Sequence, residues 1–223
     1  MTKELFLSAV TKFAAGVLLV ALLIFLPAGT IHFPGGQLLM GVLFIPMFLA
    51  GVVMMLKNPA LLRSRLNAKE KEAEQDLVIK LSGLMFLCGF ILAGLDFRFG
   101  WSRLPGWVRI LGAVLFLGAY ALFAEVLREN TWLSRTIEVQ EGQSVVSTGL
   151  YGIVRHPMYS ATLLLFLTIP LVLGSLIALP VFLLNPLLLI SRIKHEEAFL
   201  EKELKGYKEY MQKVKYRLIP FIW

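Results

Sequence analysis

The sequence predicts an all-α fold, a polytopic integral membrane helical bundle of about six transmembrane helices whose last two form a short hairpin. Three observations predict it. The chain is 57% hydrophobic over 223 residues, far above the usage of a soluble domain. Its apolar residues fall in runs of about the length that crosses a hydrocarbon layer roughly 30 Å thick. Its basic residues collect in alternate connecting segments, the asymmetry that orients membrane helices.

Four spans read directly from hydropathy: Phe6 to Leu26, Leu38 to Leu56, Val78 to Leu95, and Trp107 to Leu127. The first has a longer apolar core than a signal peptide and no small-x-small cleavage site after it, so it is expected to stay as an anchor. The last apolar run, Tyr159 to Ile190, holds 32 residues, too many for one span and few for two. Charge decides between them. Lys57 to Lys80 carries six Lys/Arg and the tail from Arg192 onward eight, whereas Ala28 to Gln37 carries none and Asp96 to Arg109 three. A single helix would put the most basic tail outside; two short helices turning near Leu173-Gly174-Ser175 put both termini in the cytoplasm. Pro170, Pro180 and Pro186 suit such a hairpin, where neighbouring helices re-satisfy freed carbonyls. The organisation expected is therefore residues 1–57, with transmembrane helices 1–2, followed by a core of residues 58–223 with helices 3–6, a cytoplasmic loop and an amphipathic tail.

Composition also excludes function classes. Cys88 stands alone, so neither a disulfide framework nor a thiolate metal site is available. The formal charge of +7 lies beside apolar spans, which points to membrane lipids rather than nucleic acid. His32, His156 and His195 are dispersed and never at i, i+4, so no metal site is expected. No P-loop and no Gly-x-Gly-x-x-Gly occurs.

Three polar segments gather on the cytoplasmic side. The first, Asn58 to Asp76, mixes charge signs as a solvated helical loop does. The second, Arg128 to Met158, holds Asn130, Thr131 and Trp132 just past a span, with Gly142 and Gly149 as turn punctuation. In the tail, Leu200, Leu204, Tyr207, Met211 and Val214 recur at helical spacing, which gives an amphipathic helix able to lie on the membrane or cap a site; Gly206 interrupts it. A charged side chain at bilayer depth costs at least roughly 2.5 to 3.5 kcal/mol. Arg155, His156, Arg192, Glu196 and Glu197, set against apolar spans, are therefore read as functional. Pro157 suits the first turn of a helix, with His156 at its N-cap. Arg192 and Glu196 stand at i, i+4 and share a helix face.

The order Gly149-x-Tyr151, Arg155-His156-Pro157-x-Tyr159, apolar hairpin, Arg192-x-x-x-Glu196-Glu197, Gly206-x-x-x-Tyr210 and Pro220 resembles the isoprenylcysteine carboxyl methyltransferase family and the related membrane phospholipid methyltransferases. The resemblance runs from about Asn58 to the C-terminus. It implies an S-adenosylmethionine-dependent enzyme with a lipophilic acceptor that enters from the bilayer. On matching positions it implies a cofactor pocket of Tyr151, Arg155, His156, Pro157 and Tyr159, joined by Tyr207 and Tyr210 from the tail. Arg192 with Glu196 or Glu197 would stand at the transfer centre, and Asn130 and Trp132 are candidates for acceptor contact. A carboxylate acceptor needs no base; a hydroxyl, amine or thiol would need one of the glutamates.

Two other classes remain open. Integral sterol reductases carry a similar Arg-His-Pro-x-Tyr, usually followed by Gly and an acidic residue where this chain has Ser160 and Ala161. A lipid-binding or transport protein would be expected to carry ionisable groups in mid-span, and the spans here are nearly bare of them. The compact chain, with no Asn-x-Ser/Thr sequon or retrieval signal, points to a prokaryotic cytoplasmic membrane. The acceptor and the oligomeric state are not encoded in any motif.

Overall fold

The computed structural model describes residues 3–66, 73–133 and 137–223, with the side chains of 64 and 73–75 left aside. The expected solvated segment around Lys69 lies outside the described residues. Among the described residues, four helices are long and apolar enough to span a membrane: α1 (Lys3–Ala28), α2 (Pro34–Lys57), α4 (Ala73–Phe99) and α5 (Gly106–Glu129). Between them, α3 (Pro59–Leu66) is a short helix entered through Asn58, whose Oδ1 accepts from the Leu61 amide. Each long helix contains an apolar run read from the sequence and extends it by a turn or so of flanking residues. Their outward faces are strongly apolar: Leu26, Leu56 and Ile45 are 74%, 76% and 63% exposed, as lipid-facing residues should be.

The final run folds as a hairpin. The first arm is α6 (Pro157–Leu173), capped by Gly174 at φ 76°, the left-handed conformation that stops a helix without a Cβ penalty. The return differs from a plain second helix: α7 (Leu179–Phe182) is a single turn, and only then does α8 (Asn185–Glu203) run back. Pro180 and Pro186 sit in the first turns of these two helices, where their missing amides cost nothing. The tail breaks at Leu204 and resumes beyond Gly206 as α9 (Tyr207–Lys213).

Ile24, Leu39, Phe90, Phe116, Val172 and Phe182 interlock at the centre of the bundle, so α6 is buried against α5, α2 and α4. At one end a polar knot fixes the hairpin turn: buried Asp96 accepts from the Ser102 amide at 2.6 Å and from the hydroxyls of Ser102 and Ser175. The opposite end collects α3, the 129–156 segment and the tail. Lys12 bonds the Leu66 carbonyl, and Arg65 bonds that of Leu133.

Candidate active site

The site begins where α5 ends. Glu129 Oε2 accepts the Leu150 amide, which holds a 3-10 turn over Gly149–Gly152. Gly149 has φ +53°, and a Cβ there would run into the Glu129 carboxylate, so a side chain at this position is strained and displaces the group that holds the turn. The turn delivers Tyr151, whose hydroxyl takes a hydrogen bond from Asn130 Nδ2 at 3.0 Å; Asn130 Oδ1 in turn accepts the Trp132 amide. From the tail, the Tyr210 hydroxyl donates to the Tyr151 carbonyl at 2.7 Å.

Arg155-His156-Pro157 forms the next layer. The amides of Arg155 and His156 donate to the carbonyls of Tyr216 and Arg217, each at 2.9 Å, so the tail is strapped across the motif. The Arg155 guanidinium is spent on structure: Nε donates to Glu197 Oε1 at 2.6 Å, and one terminal nitrogen to the carbonyls of Val214 and Lys215. Pro157 is N1 of α6 and His156 its N-cap by position, yet the imidazole makes no cap bond. It turns to Glu197 Oε1 instead, 3.2 Å from Nε2.

The two adjacent glutamates part company. Glu197 is buried among Arg155, His156 and Arg217, whose Nε stands 2.7 Å from Oε2. Burial alone would raise its pKa, but the hydrogen bonds from His156, Arg155 and Arg217 outweigh that and bring it down to about 2. An ionised carboxylate only accepts, so His156 Nε2 carries the proton in this contact and Nδ1 faces Glu196, 4.0 Å away. Glu196 is partly open. It accepts from the Tyr159 hydroxyl at 2.5 Å, and that hydroxyl accepts from Arg192 Nε at 2.9 Å. Tyr159 therefore stands between the i, i+4 partners.

Two cavities meet at this point. One is a polar cleft of about 830 Å³ with its open mouth included, walled by Trp132, Tyr151, Tyr207, Tyr210, His156 and Glu196. Asn130, Arg155, Tyr159 and Arg192 line it as well, so of the residues singled out in the sequence only Pro157 and Glu197 stand behind its wall. The other is an apolar chamber of about 2260 Å³, open side included, among α2, α4, α5, α6 and α8. Met158, Tyr159 and Arg192 belong to both. Arg65 and Asn185, which no motif reading picked out as site residues, also line the chamber.

The Tyr207 hydroxyl is buried in the cleft wall with no hydrogen-bond partner among the described residues. Burial, with the Glu197 and Glu196 charges added, pushes its pKa well up, so it remains a neutral donor. An orphaned donor among aromatic faces fits a ligand that brings its own acceptor.

The family model described as the isoprenylcysteine carboxyl methyltransferase (ICMT) family matches residues 107–202, the stretch that holds α5, the Arg-His-Pro motif and the hairpin. Over that stretch, less than half of its length, the chain is similar to this family. Among solved structures, that of the eukaryotic intramembrane Ras methyltransferase ICMT superposes with a TM-score of 0.59 over 96% of this chain and 77% of that one, at 18% identity. The fold of that structure is thus shared over nearly the whole chain. Among curated proteins, the Delta(14)-sterol reductase TM7SF2 of Mus musculus is 32% identical over 91 residues, 40% of this chain. The chain spans about a fifth of that relative's length, 22%.

Proposed function

We propose that this integral membrane protein transfers a methyl group from S-adenosylmethionine to a lipophilic acceptor, foremost the carboxylate of a prenylated or other lipid-like molecule, at the cytoplasmic membrane face. One observation carries the reading. A polar, aromatic-walled cleft and an apolar chamber inside the bundle share the Met158-Tyr159-Arg192 wall, so a water-soluble donor and a lipid-soluble acceptor can meet there without either leaving its own medium.

Trp132, Tyr151, Tyr207 and Tyr210 offer aromatic faces and one free donor for the cofactor, and Glu196 supplies negative charge for its cationic end. When bound, the cofactor supplies an electrophilic methyl on a sulfonium. Transfer of that methyl to a carboxylate annihilates two charges, so a site poor in water favours it by not stabilising the separated ions. Arg192 is placed to orient an anionic acceptor head, its Nε held by the Tyr159 hydroxyl. A carboxylate needs no base; for a hydroxyl, amine or thiol, Glu196 is the open carboxylate beside the shared wall. Arg155, Glu197 and Arg217 act one step back, by fixing His156 and the tail.

A second reading is supported by the 91-residue match to the sterol reductase: an NADPH-dependent membrane reductase built on the same Arg-His-Pro block. Calorimetry on the detergent-purified protein separates the two. S-adenosylmethionine binding without NADPH binding is expected. The reverse would overturn the methyltransferase reading, and binding of neither would leave a lipid-binding or transport protein.

A further inference from the structure

Asn185 is 1% exposed, yet it stands on the wall of the apolar chamber with its Oδ1 unpartnered among the described residues. The other uncharged polar groups on that wall are spent: Ser82, Tyr120 and Thr162 donate to backbone carbonyls, and Tyr159 to Glu196. Asn185 is the first residue of α8, a place where an Asn side chain often serves the helix terminus, but the N-cap position belongs to Leu184 and no side-chain cap bond forms. A buried carbonyl oxygen left without a donor is costly and calls for an explanation.

Its register supplies one. Asn185 and Arg192 are i, i+7, two turns apart on one face of α8, with Leu188 and Leu189 between them on the same chamber wall. At 1.5 Å of rise per residue the two polar groups are about 10 Å apart along the helix. The chamber therefore presents a cation beside the polar cleft, an apolar stretch of about that length, and then a lone hydrogen-bond acceptor.

We propose that Asn185 determines acceptor specificity: the chamber takes an amphiphile with an anionic head and a hydrogen-bond donor, such as a hydroxyl, inside its chain about 10 Å from that head. This rests on reading the chamber as the acceptor's compartment. A uniformly hydrocarbon chain would fill the space and leave Oδ1 bare, whereas a chain hydroxyl donates to it. Sites built to bond a buried hydroxyl reject the analogue that lacks it, because the site's own group is then stranded.

The test uses hexadecanoate and a series of hexadecanoates hydroxylated at successive carbons, with binding read by ligand-induced thermal shift of the detergent-solubilised protein without any methyl donor. Wild type is expected to bind one mid-chain hydroxylated isomer at least about tenfold more tightly than hexadecanoate, with weaker binding on either side of that position. In Asn185→Leu the dependence on hydroxyl position should vanish while hexadecanoate binding is kept or improved, and the ligand-free protein should melt no lower than wild type. A flat profile in wild type would overturn the proposal, as would an unchanged profile in Asn185→Leu. A ligand-free Asn185→Leu protein that melts much lower would instead mark Asn185 as a structural residue and equally overturn it. The readout needs no turnover, so failure of methyl transfer with every donor would strike the proposed activity alone.

Discussion

Glu196 and Glu197 are neighbours in sequence and opposites in environment. Residues one apart on a helix point about 100° apart, which sends Glu197 into the buried cluster of Arg155, His156 and Arg217 and leaves Glu196 at the open wall with Tyr159. Glu197→Gln should therefore cost stability, roughly 3 kcal/mol, because it strands the buried Arg155 guanidinium; Glu196→Gln should melt near wild type and lose turnover. Arg192→Lys should lose turnover at least about tenfold while keeping cofactor affinity, since a point charge cannot replace a planar fork. Transfer assays with a radiolabelled donor, set beside melting curves, check all three. Glu197 also sets a pH dependence. Its folded pKa is depressed to about 2, so its stabilisation is complete above the ordinary carboxylate range and is lost as pH falls from there through about 2. Melting temperature over that acid window should fall more steeply in wild type than in Glu197→Gln. Tyr207→Phe removes a hydroxyl that has no partner among the described residues, so calorimetry should show cofactor affinity reduced several-fold with the fold intact.

Elements differ in how far the sequence reveals them. The four long spans are legible because hydrophobicity over about 20 residues is a one-dimensional signal, and charge called for a hairpin, whose turn, expected near Leu173-Gly174-Ser175, begins at Gly174. Part of the cleft wall was legible too, since every candidate site residue but Pro157 and Glu197 lines it, but Leu133, Ile137 and the run from Gln143 to Val146 carried no mark of it. The straps are another matter. Nothing in the tail's eight basic residues marks Arg217 for Glu197, and nothing in Ser160 announces its bond to the Leu218 carbonyl; such pairings exist only after folding brings residues about 20 and 58 apart into contact. Asn185 carries a signal of its own: a polar residue in an apolar run is costly and so invites a functional reading. Asp96 was equally silent, yet it binds α4, the α4–α5 connection and the hairpin turn together. Asp96→Leu should remove all three bonds and leave the two serine hydroxyls without an acceptor, though each still accepts a backbone amide, with a loss of roughly 2 to 4 kcal/mol. Denaturation of the detergent-solubilised protein reads it, and cofactor affinity should change little because the cleft lies at the other end.

At the scale of the molecule, the bundle is polarised. One end carries short loops with Trp101 and Trp107 exposed beside them, the aromatic girdle expected at a membrane boundary. The other carries α3, the 129–156 segment, both cavities' shared wall and the tail, and it is the end with the denser basic charge. The Lys12–Leu66 and Arg65–Leu133 bonds bring α1 and the 129–156 segment to this end through α3, and the tail joins it through the Arg-His-Pro strap. Basic loops stay in the cytoplasm because moving them outward opposes the potential and the anionic inner leaflet. Both termini and Glu138 should therefore be cytoplasmic, which also places the cleft where a soluble cofactor is made. Single cysteines introduced at Glu138, Lys208 and Trp107 in a Cys88→Ser background test this with a membrane-impermeant thiol reagent on intact cells. Labelling at Trp107 alone is the expected pattern; labelling at Lys208 would turn the bundle over, leaving the cleft on the side that lacks the donor, and the proposed reaction could not run there.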